Sequence, residues 1–559
     1  MNGNCSTTGR KSPERLPDAV RLEHQWKSID WKKAEAEVSR LQARIAKATQ
    51  EKKWNTVKRL QYLLTHSYCA KALAVRKVTT NKGKKTPGID KELWSTPAAK
   101  MCGVLTLTDR NYKAKPLHRV FIEKPGKKKK RPLGIPCMYD RAMQALYALA
   151  LAPVAETLAD TKSYGFRKGR CAQDACEHIF KTLSHAQSPQ WVLEGDIKGC
   201  FDHISHDWLI EHIPIDKSVL KQFLKAGFIF RDELFPTDEG TPQGGVISPI
   251  LANMTLDGMQ KVLSDRFHTN RLGKVDLRFK NAHKVNLVRY ADDFIVTAAT
   301  KEIAEEAKEI IRDFLQTRGL ELSEEKTLIS HIDDGFDMLG WTFRKFKGKL
   351  IVKPSKKSIK ALNASLHETV LERGKAWKQA DLIRVLNRQL RGWANYHQSV
   401  CAKDAFSRAD HILYEMLWRW AKRRHPKKSR RWVTSNYWHS KGMRNWVFKT
   451  ETAELMRLGE VPIIRHTKVR MDANPYLDTE YFTYRKFQHG MKRLSGRFKK
   501  VWRNQNGCCY HCGQPMEISD EREIFYKVPK SMGGKDEVQN MAYVHKHCQS
   551  IFLERRAKA

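Results

Sequence analysis

Two neighbouring carboxylates, Asp292 and Asp293, close the string Tyr290-Ala291-Asp292-Asp293. Side by side on a turn they repel one another unless a cation lies between them. A third carboxylate, Asp196, stands upstream in Trp191-Val192-Leu193-Glu194-Gly195-Asp196. A two-metal site needs carboxylates from separate segments, because one short turn cannot surround two ions. Polymerases hold two Mg²⁺ in this way against a primer hydroxyl and a nucleoside triphosphate. The spacing Asp196-x4-Phe201 adds a second condition. Phe201 under the sugar of an incoming nucleotide would leave no room for a 2′-hydroxyl and would favour dNTP. Taken singly, the acidic pair reads as a solvated turn and Phe201 as a core aromatic. Between them lies Gly240-Thr241-Pro242-Gln243-Gly244-Gly245-Val246-Ile247-Ser248-Pro249. Its glycines let backbone approach a base pair closely, and Gln243 offers that pair both a donor and an acceptor.

Each of these residues needs an element to hold it. Val285 to Val288 and Phe294 to Thr297 are apolar β-like runs, so the acidic pair sits at the tip of a tight strand-turn-strand. Trp191 to Leu193 reads as a buried strand with Asp196 near its end. From Trp31 to about His66 the pattern is helical, with Val38, Leu41, Ile45 and Ala48, then Val57, Leu60 and Leu64, on one face. From about Ser358 to Val400 it is helical again, and Leu382, Val385, Leu386, Leu390 and Trp393 keep an apolar stripe. Trp418 to Lys428 interleaves aromatics with cations, including Arg423 and Arg424, which suits phosphate contact and base stacking. A solvated helix face is the plainer alternative. Val433 to Lys500 is basic and aromatic with little legible pattern.

At 559 residues the chain is expected to hold three or more domains. Lys and Arg number 103 against 61 Asp and Glu, a net charge of +42. That excess favours a polyanionic partner held through phosphates, without separating RNA from DNA. No apolar run is long enough to span a bilayer. The N-terminal segment lacks the apolar core of a secretory signal, so a cytoplasmic protein is expected. The 12 Cys are mostly scattered and suggest no disulfide framework.

The ordered motifs resemble those of the group II intron-encoded reverse transcriptase and maturase family, from about Trp26 to Cys548. Val120 to Pro125 with Lys130 to Pro136 resembles the family's fingers motif. The resemblance implies that Lys124 and Arg131 grip the triphosphate, Arg by a planar fork and Lys as a point charge. Ser163 to Arg170 resembles the next motif, whose Arg167, Lys168 and Arg170 suit a template backbone. Leu322 to Thr327 resembles the palm motif that places Lys326 by the active site, where it would neutralise or protonate the pyrophosphate leaving group. Phe336 to Trp341 closes the palm pattern. Arg391-Gly392-Trp393-Ala394-Asn395-Tyr396-His397 resembles the maturase thumb motif, with Arg391 and Trp393 towards RNA.

In the tail, Cys509-x2-Cys512 and His545-x2-Cys548 have the spacing of zinc ligands, with Cys508 as a spare. The surrounding string resembles the family's H-N-H endonuclease, with Asn540 at its middle position. The paired histidines of that pattern fall on Phe525 and Tyr526, and the histidine after the last Cys falls on Gln549. Phe neither takes a proton nor binds a metal, and Tyr is a poor base near neutral pH. A folded zinc module without nicking activity is therefore expected, unless His547 stands in through a shift of register.

The resemblance implies an α+β right-hand polymerase: fingers, a palm with an antiparallel sheet, and a helical thumb. A small zinc-binding ββα-metal-like module would follow. The expected segments are an RNA-contacting helical extension (1–95), fingers and palm (96–350), thumb or maturase domain (351–432), a basic linker (433–503) and the degenerate endonuclease module (504–559). Mg²⁺ and structural Zn²⁺ are the expected cofactors. Intron RNA, target DNA and dNTPs are the expected partners, with no membrane. The implied function is RNA-directed DNA synthesis with assisted splicing and retrohoming. A splicing-only maturase and a retron-like reverse transcriptase remain the alternatives.

Overall fold

The computed structural model describes residues 19–123, 130–231, 233–269, 282–494, 496–516, 522–546 and 548–549. Lys124, His547 and the side chain of Arg131 lie outside the described set. The protein mixes helices with small, mainly antiparallel sheets. Among the described residues no helix is long and apolar enough to cross a membrane. Contacts divide the chain into two units, each drawing on separate stretches of sequence.

The first unit comprises the described parts of Met1–Leu158, Phe201–Thr255 and Asn474–Ala559. Its N-terminal part packs the expected helices Trp31–Gln50 and Trp54–His66 around the helix Met138–Leu158. Val38, Ile45, Ala48, Val57, Leu60 and Leu64 are buried there as the stripe requires, while Leu41 is only half-buried. Pro153 lies inside Met138–Leu158 and has no N–H to give the turn before it. The carbonyl of Leu149 accepts instead from Gln42 Nε2 at 2.8 Å, which ties one helix to another. A four-stranded sheet follows. Leu117–Ile122 pairs antiparallel with Arg131–Ile135 and parallel with Phe228–Phe230, which pairs antiparallel with Glu233–Phe235.

The tail of this unit has its own core of Val501, Trp502, Phe525, Met541, Tyr543 and Val544. Gly490 lets the helix Thr479–Arg493 meet the indole of Trp502, since a Cβ there would lie 2.3 Å from the ring. Gln505 fastens the cysteine loop to the strand Met541–His545. It donates to the carbonyl of Tyr543 at 3.1 Å and accepts from its N–H at 2.7 Å.

The second unit comprises Ala159–Cys200 and the described parts of Leu256–Ala473. Its main sheet runs in the order Asn286–Tyr290, Asp293–Ala298, Trp191–Gly195, Leu328–His331, all antiparallel. Val192, Leu193, Val288, Ile295 and Val296 are buried in it. Helices Ala172–Leu183 and Lys301–Gln316 pack on this sheet. A three-stranded meander, Phe336–Met338, Trp341–Phe346 and Lys349–Pro354, leads into helices Lys356–His367, Gln379–His397 and Lys403–Arg424. Of the stretch Val433 to Lys500, illegible in sequence, this unit holds the hairpin of Trp438–Lys441 and Arg444–Phe448, while the helix Thr479–Arg493 belongs to the first unit.

Candidate active site and a Cys/His cluster

Tyr290 pairs directly with Asp293, so Ala291 and Asp292 form a two-residue loop and both carboxylates stand at the hairpin tip. Ala291 adopts φ 57°, the left-handed conformation such a loop demands of a residue that is not glycine. Gly195 faces Phe294, and the same register one step on sets Asp196 opposite Asp293. The backbone at Asp196 is held from the side, because Ser323 N–H donates to its carbonyl at 2.8 Å. Three carboxylates thus converge from two strands. Crowding by protein atoms, then Asp292, then Asp196, push the Asp293 carboxyl up to about 6, although its surface is open to solvent. Lys326 and Lys357 act in the opposite direction. Lys326 Nζ donates to Asp196.

Gly165 has a role that its motif did not reveal. A Cβ on it would lie 2.3 Å from the backbone nitrogen of Ala291, so the segment before it can press directly against the acidic turn. Tyr164 N–H donates to the Arg289 carbonyl and Arg289 N–H to that of Lys162, at 2.9 and 3.1 Å, seating this segment along the hairpin strand. Beneath the turn the buried Arg289 pairs with Asp257. No spacing rule in the sequence points to Lys357, Arg289 or Asp257.

Phe201 and Gln243 belong to the first unit and are brought together there. Thr241 N–H donates to the Phe201 carbonyl at 2.6 Å and Gly240 N–H to that of Ile204 at 2.8 Å. A Cβ on Gly240 would lie 2.5 Å from the carbonyl oxygen of Asp202, so only glycine lets the loop dock here. Gln243 Nε2 donates to both carboxylate oxygens of Asp202 at 3.1 Å, which fixes the amide orientation. Asp202 follows Phe201 directly and was missed in the sequence.

The basic residues divide by environment. Lys168, Arg391 and Arg423 are exposed. Arg167 donates to the carbonyls of Asp160 and Ser163 at 2.6 and 2.9 Å, and Arg170 to that of Ala473 at 3.1 Å. Arg424 donates to the Trp377 carbonyl at 2.9 Å and lies over the Trp420 ring. Trp393 is half-buried, with its indole N–H on Ser358 Oγ at 3.2 Å. Trp420 corrects the expectation of aromatics offered to bases. It is 3% exposed and donates to the Gly374 carbonyl at 2.9 Å, because its helix turns that face to the core.

In the tail, Cys509, Cys512, His545 and Cys548 bring four ligand atoms within 4.8 Å of one another. Ligands of a tetrahedral zinc stand roughly 3.5–4 Å apart, so this donor set fits the ion in number, type and spacing. Cys512 Sγ lies 3.4 Å from His545 Nδ1, and His545 N–H points at Cys509 Sγ at 3.4 Å. Hydrogen bonding with the Cys512 and Cys548 thiols draws the Cys509 thiol below its usual range, and the same coupling pushes that of Cys548 above its own. Cys508 stays outside the cluster and turns to the Asn506 carbonyl. Phe525 is 6% exposed in the module's core, and Tyr526 donates its hydroxyl to Asp536 at 2.6 Å. Asn540 staples a loop, accepting from Val528 N–H at 2.7 Å and donating to the carbonyls of Val528 and Lys535 at 3.0 and 2.9 Å. Gln549 is half-buried.

Family models match four stretches: an N-terminal domain of reverse transcriptase at residues 26–107, a reverse transcriptase (RNA-dependent DNA polymerase) at 122–343, a group II intron maturase-specific domain at 359–438 and an HNH endonuclease at 509–550. The group II intron-encoded protein LtrA of Lactococcus lactis is 31% identical over 380 residues, 58% of this chain and 63% of LtrA, so the match spans less than two thirds of that relative. Protein YkfC of Escherichia coli is 32% identical over 300 residues, 48% of this chain and 78% of YkfC. A putative COX1/OXI3 intron 1 protein of Saccharomyces cerevisiae is 28% identical over 304 residues, 46% of this chain and 36% of that protein. With these family segments in this order around the acidic hairpin, and with YkfC matched over most of its length, the chain belongs to the group II intron-encoded reverse transcriptase and maturase family.

Proposed function

We propose that the protein is an RNA-directed DNA polymerase and maturase that binds its group II intron RNA, assists splicing and copies the intron into DNA. The observation that carries this is the meeting of Asp196 with Asp292 and Asp293 on adjacent antiparallel strands, with Lys326 on Asp196. Mg²⁺ held by these three carboxylates would make the primer 3′-hydroxyl more acidic and stabilise charge on the transferring phosphate. Lys326 would give a proton to the departing pyrophosphate, and Lys124 and Arg131 would orient the triphosphate. Phe201 would exclude the 2′-hydroxyl, while Gln243, aimed by Asp202, would meet the templating pair. Arg167, Lys168, Arg170, Arg391, Trp393, Arg423 and Arg424 would line the paths of template and intron RNA. Carbonyls already take donors of Arg167, Arg170 and Arg424.

The same reading assigns fingers and palm to 96–350 within a right-hand polymerase, after the helical extension of 1–95. A thumb follows at 351–432, a basic linker at 433–503 and the tail module at 504–559. Zn²⁺ on Cys509, Cys512, His545 and Cys548 would hold a ββα-metal-like module together. Phe525 in the core and Tyr526 engaged by Asp536 support loss of nicking by this module, which would then bind target DNA without cutting it. Priming would come from another source, such as a nascent strand at a replication fork.

The test is a paired assay of the full chain in Mg²⁺: primer extension on RNA with dNTP, and nicking of target DNA. Extension without nicking is expected. Splicing promoted without any extension would replace this reading by a splicing-only maturase. Nicking that Asn540→Ala removes would restore the endonuclease.

A further inference from the structure

A pocket of about 320 Å³ opens between the helix Lys403–Arg424 and the hairpin of Trp438–Lys441 and Arg444–Phe448. Its floor is apolar, with Leu417, Val447 and the buried Trp438, and Tyr414 and Trp446 both line it. Their rings stand 6.4 Å apart at 75°. Arg457 also lines it, with 64% of its side chain exposed and its Nε 4.0 Å from the carboxylate of Asp410, which lines the pocket too. A space at the small end of the ligand-pocket range takes a single ring system and excludes a duplex.

Trp446 is held there at a backbone cost. The hairpin register slips between His439 and Lys441, and on the opposite strand Trp446 has φ 65°. Such a bulge position ordinarily belongs to glycine, and a bulky residue in it is strained. The indole is nevertheless 53% exposed, so burial of the ring does not offset the strain. Strain of this kind collects where a side chain must be aimed at a ligand.

We propose that this pocket takes one unstacked base of a single-stranded RNA, with Trp446 as its stacking face, Tyr414 edge-on beside it and Arg457 towards the flanking phosphate. A net charge of +42 and a half-polar, aromatic-walled pocket favour an RNA base over an apolar peptide side chain. The choice of RNA rests on the maturase reading above, but the pocket does no polymerase chemistry.

Trp446→Gly is the informative variant, because it removes the ring and relieves the left-handed backbone at once. The probe is a fluorescent single-stranded RNA 12-mer, titrated with the full chain over a range of salt. The expected result is a loss of affinity of roughly five- to 150-fold, with thermal stability held or raised. The salt slope should stay as in the wild type, since a stacked base releases no counterions. Tyr414→Leu should weaken binding in the same way, and Arg457→Ala should lower the slope. Unchanged affinity in both aromatic variants would overturn the proposal and leave the pocket to an apolar side chain of a protein partner. Primer extension by the wild type is scored separately, so failure of the polymerase reading and failure of this pocket give different results.

Discussion

At the scale of single residues, neighbours decide what each side chain can do. The Gln243 amide is aimed by Asp202, and the loop that carries it is pinned to the Phe201 carbonyl. Phe201 is therefore tied into the structure that holds Gln243. Phe201→Ala should lower discrimination of dNTP over rNTP by at least about tenfold while extension with dNTP survives; single-nucleotide incorporation kinetics would check this, and unchanged selectivity would remove Phe201 from the sugar site. His397 closes the thumb-like motif but is fully buried, with Ser358 Oγ at 3.0 Å from Nε2. Burial pushes its imidazole down to about 4 from the usual 6.5. Unfolding lets it take up a proton between those values. Its contribution to stability is thus fully present above about pH 6.5 and is lost as pH falls through 4, on the order of 3 kcal/mol at the acid end. Urea melts at pH 7 and pH 5 should show stability falling with acidity, and His397→Asn should flatten that fall.

At the scale of elements, close backbone approach matters more than any single contact. Gly165 lets its segment lie against the acidic turn, and no other residue fits without moving that turn. Gly165→Ala should cost about 1–3 kcal/mol in stability and, by shifting Asp292 and Asp293, about a hundredfold in extension rate. An activity loss no larger than the stability loss explains would show that the turn tolerates the shift. In the tail, the four residues of the Cys/His cluster come from a loop, the end of a strand and the segment just after it, and Gln505 joins the loop to the strand. The full chain should carry about one zinc, and Cys512→Ser should lose most of it. Metal analysis after dialysis gives the count, and proteolysis confined to the tail is the expected consequence.

At the scale of the whole molecule, the functions implied by the family segments should be separable. The carboxylates belong to the second unit and the Cys/His cluster to the first. Asp292→Ala should reduce DNA synthesis by at least about a hundredfold, yet leave protein-assisted splicing of the intron RNA in place. Loss of both activities in a folded variant would mean that RNA folding and polymerisation share this site.

Much of this protein was determined by its sequence, where local pattern and chemistry coincide. Alternating apolar runs around a polar tip can form little but a hairpin, so Asp292 and Asp293 were legible as a pair, and Cys and His spacing pointed to the metal-type cluster. The helical stripes through Val38 and Leu386 were legible for the same reason, because a period of 3.6 sorts one face from another. Tertiary structure alone decided the rest. It chose Cys509 over Cys508, brought Asp202 to Gln243, set Gly165 against Ala291 and turned Trp420 inward. It also drew a hairpin with an outward Trp446 from a stretch with no readable period. Those outcomes depend on which distant segments meet, and contact between segments far apart in sequence leaves no periodic signal in either one.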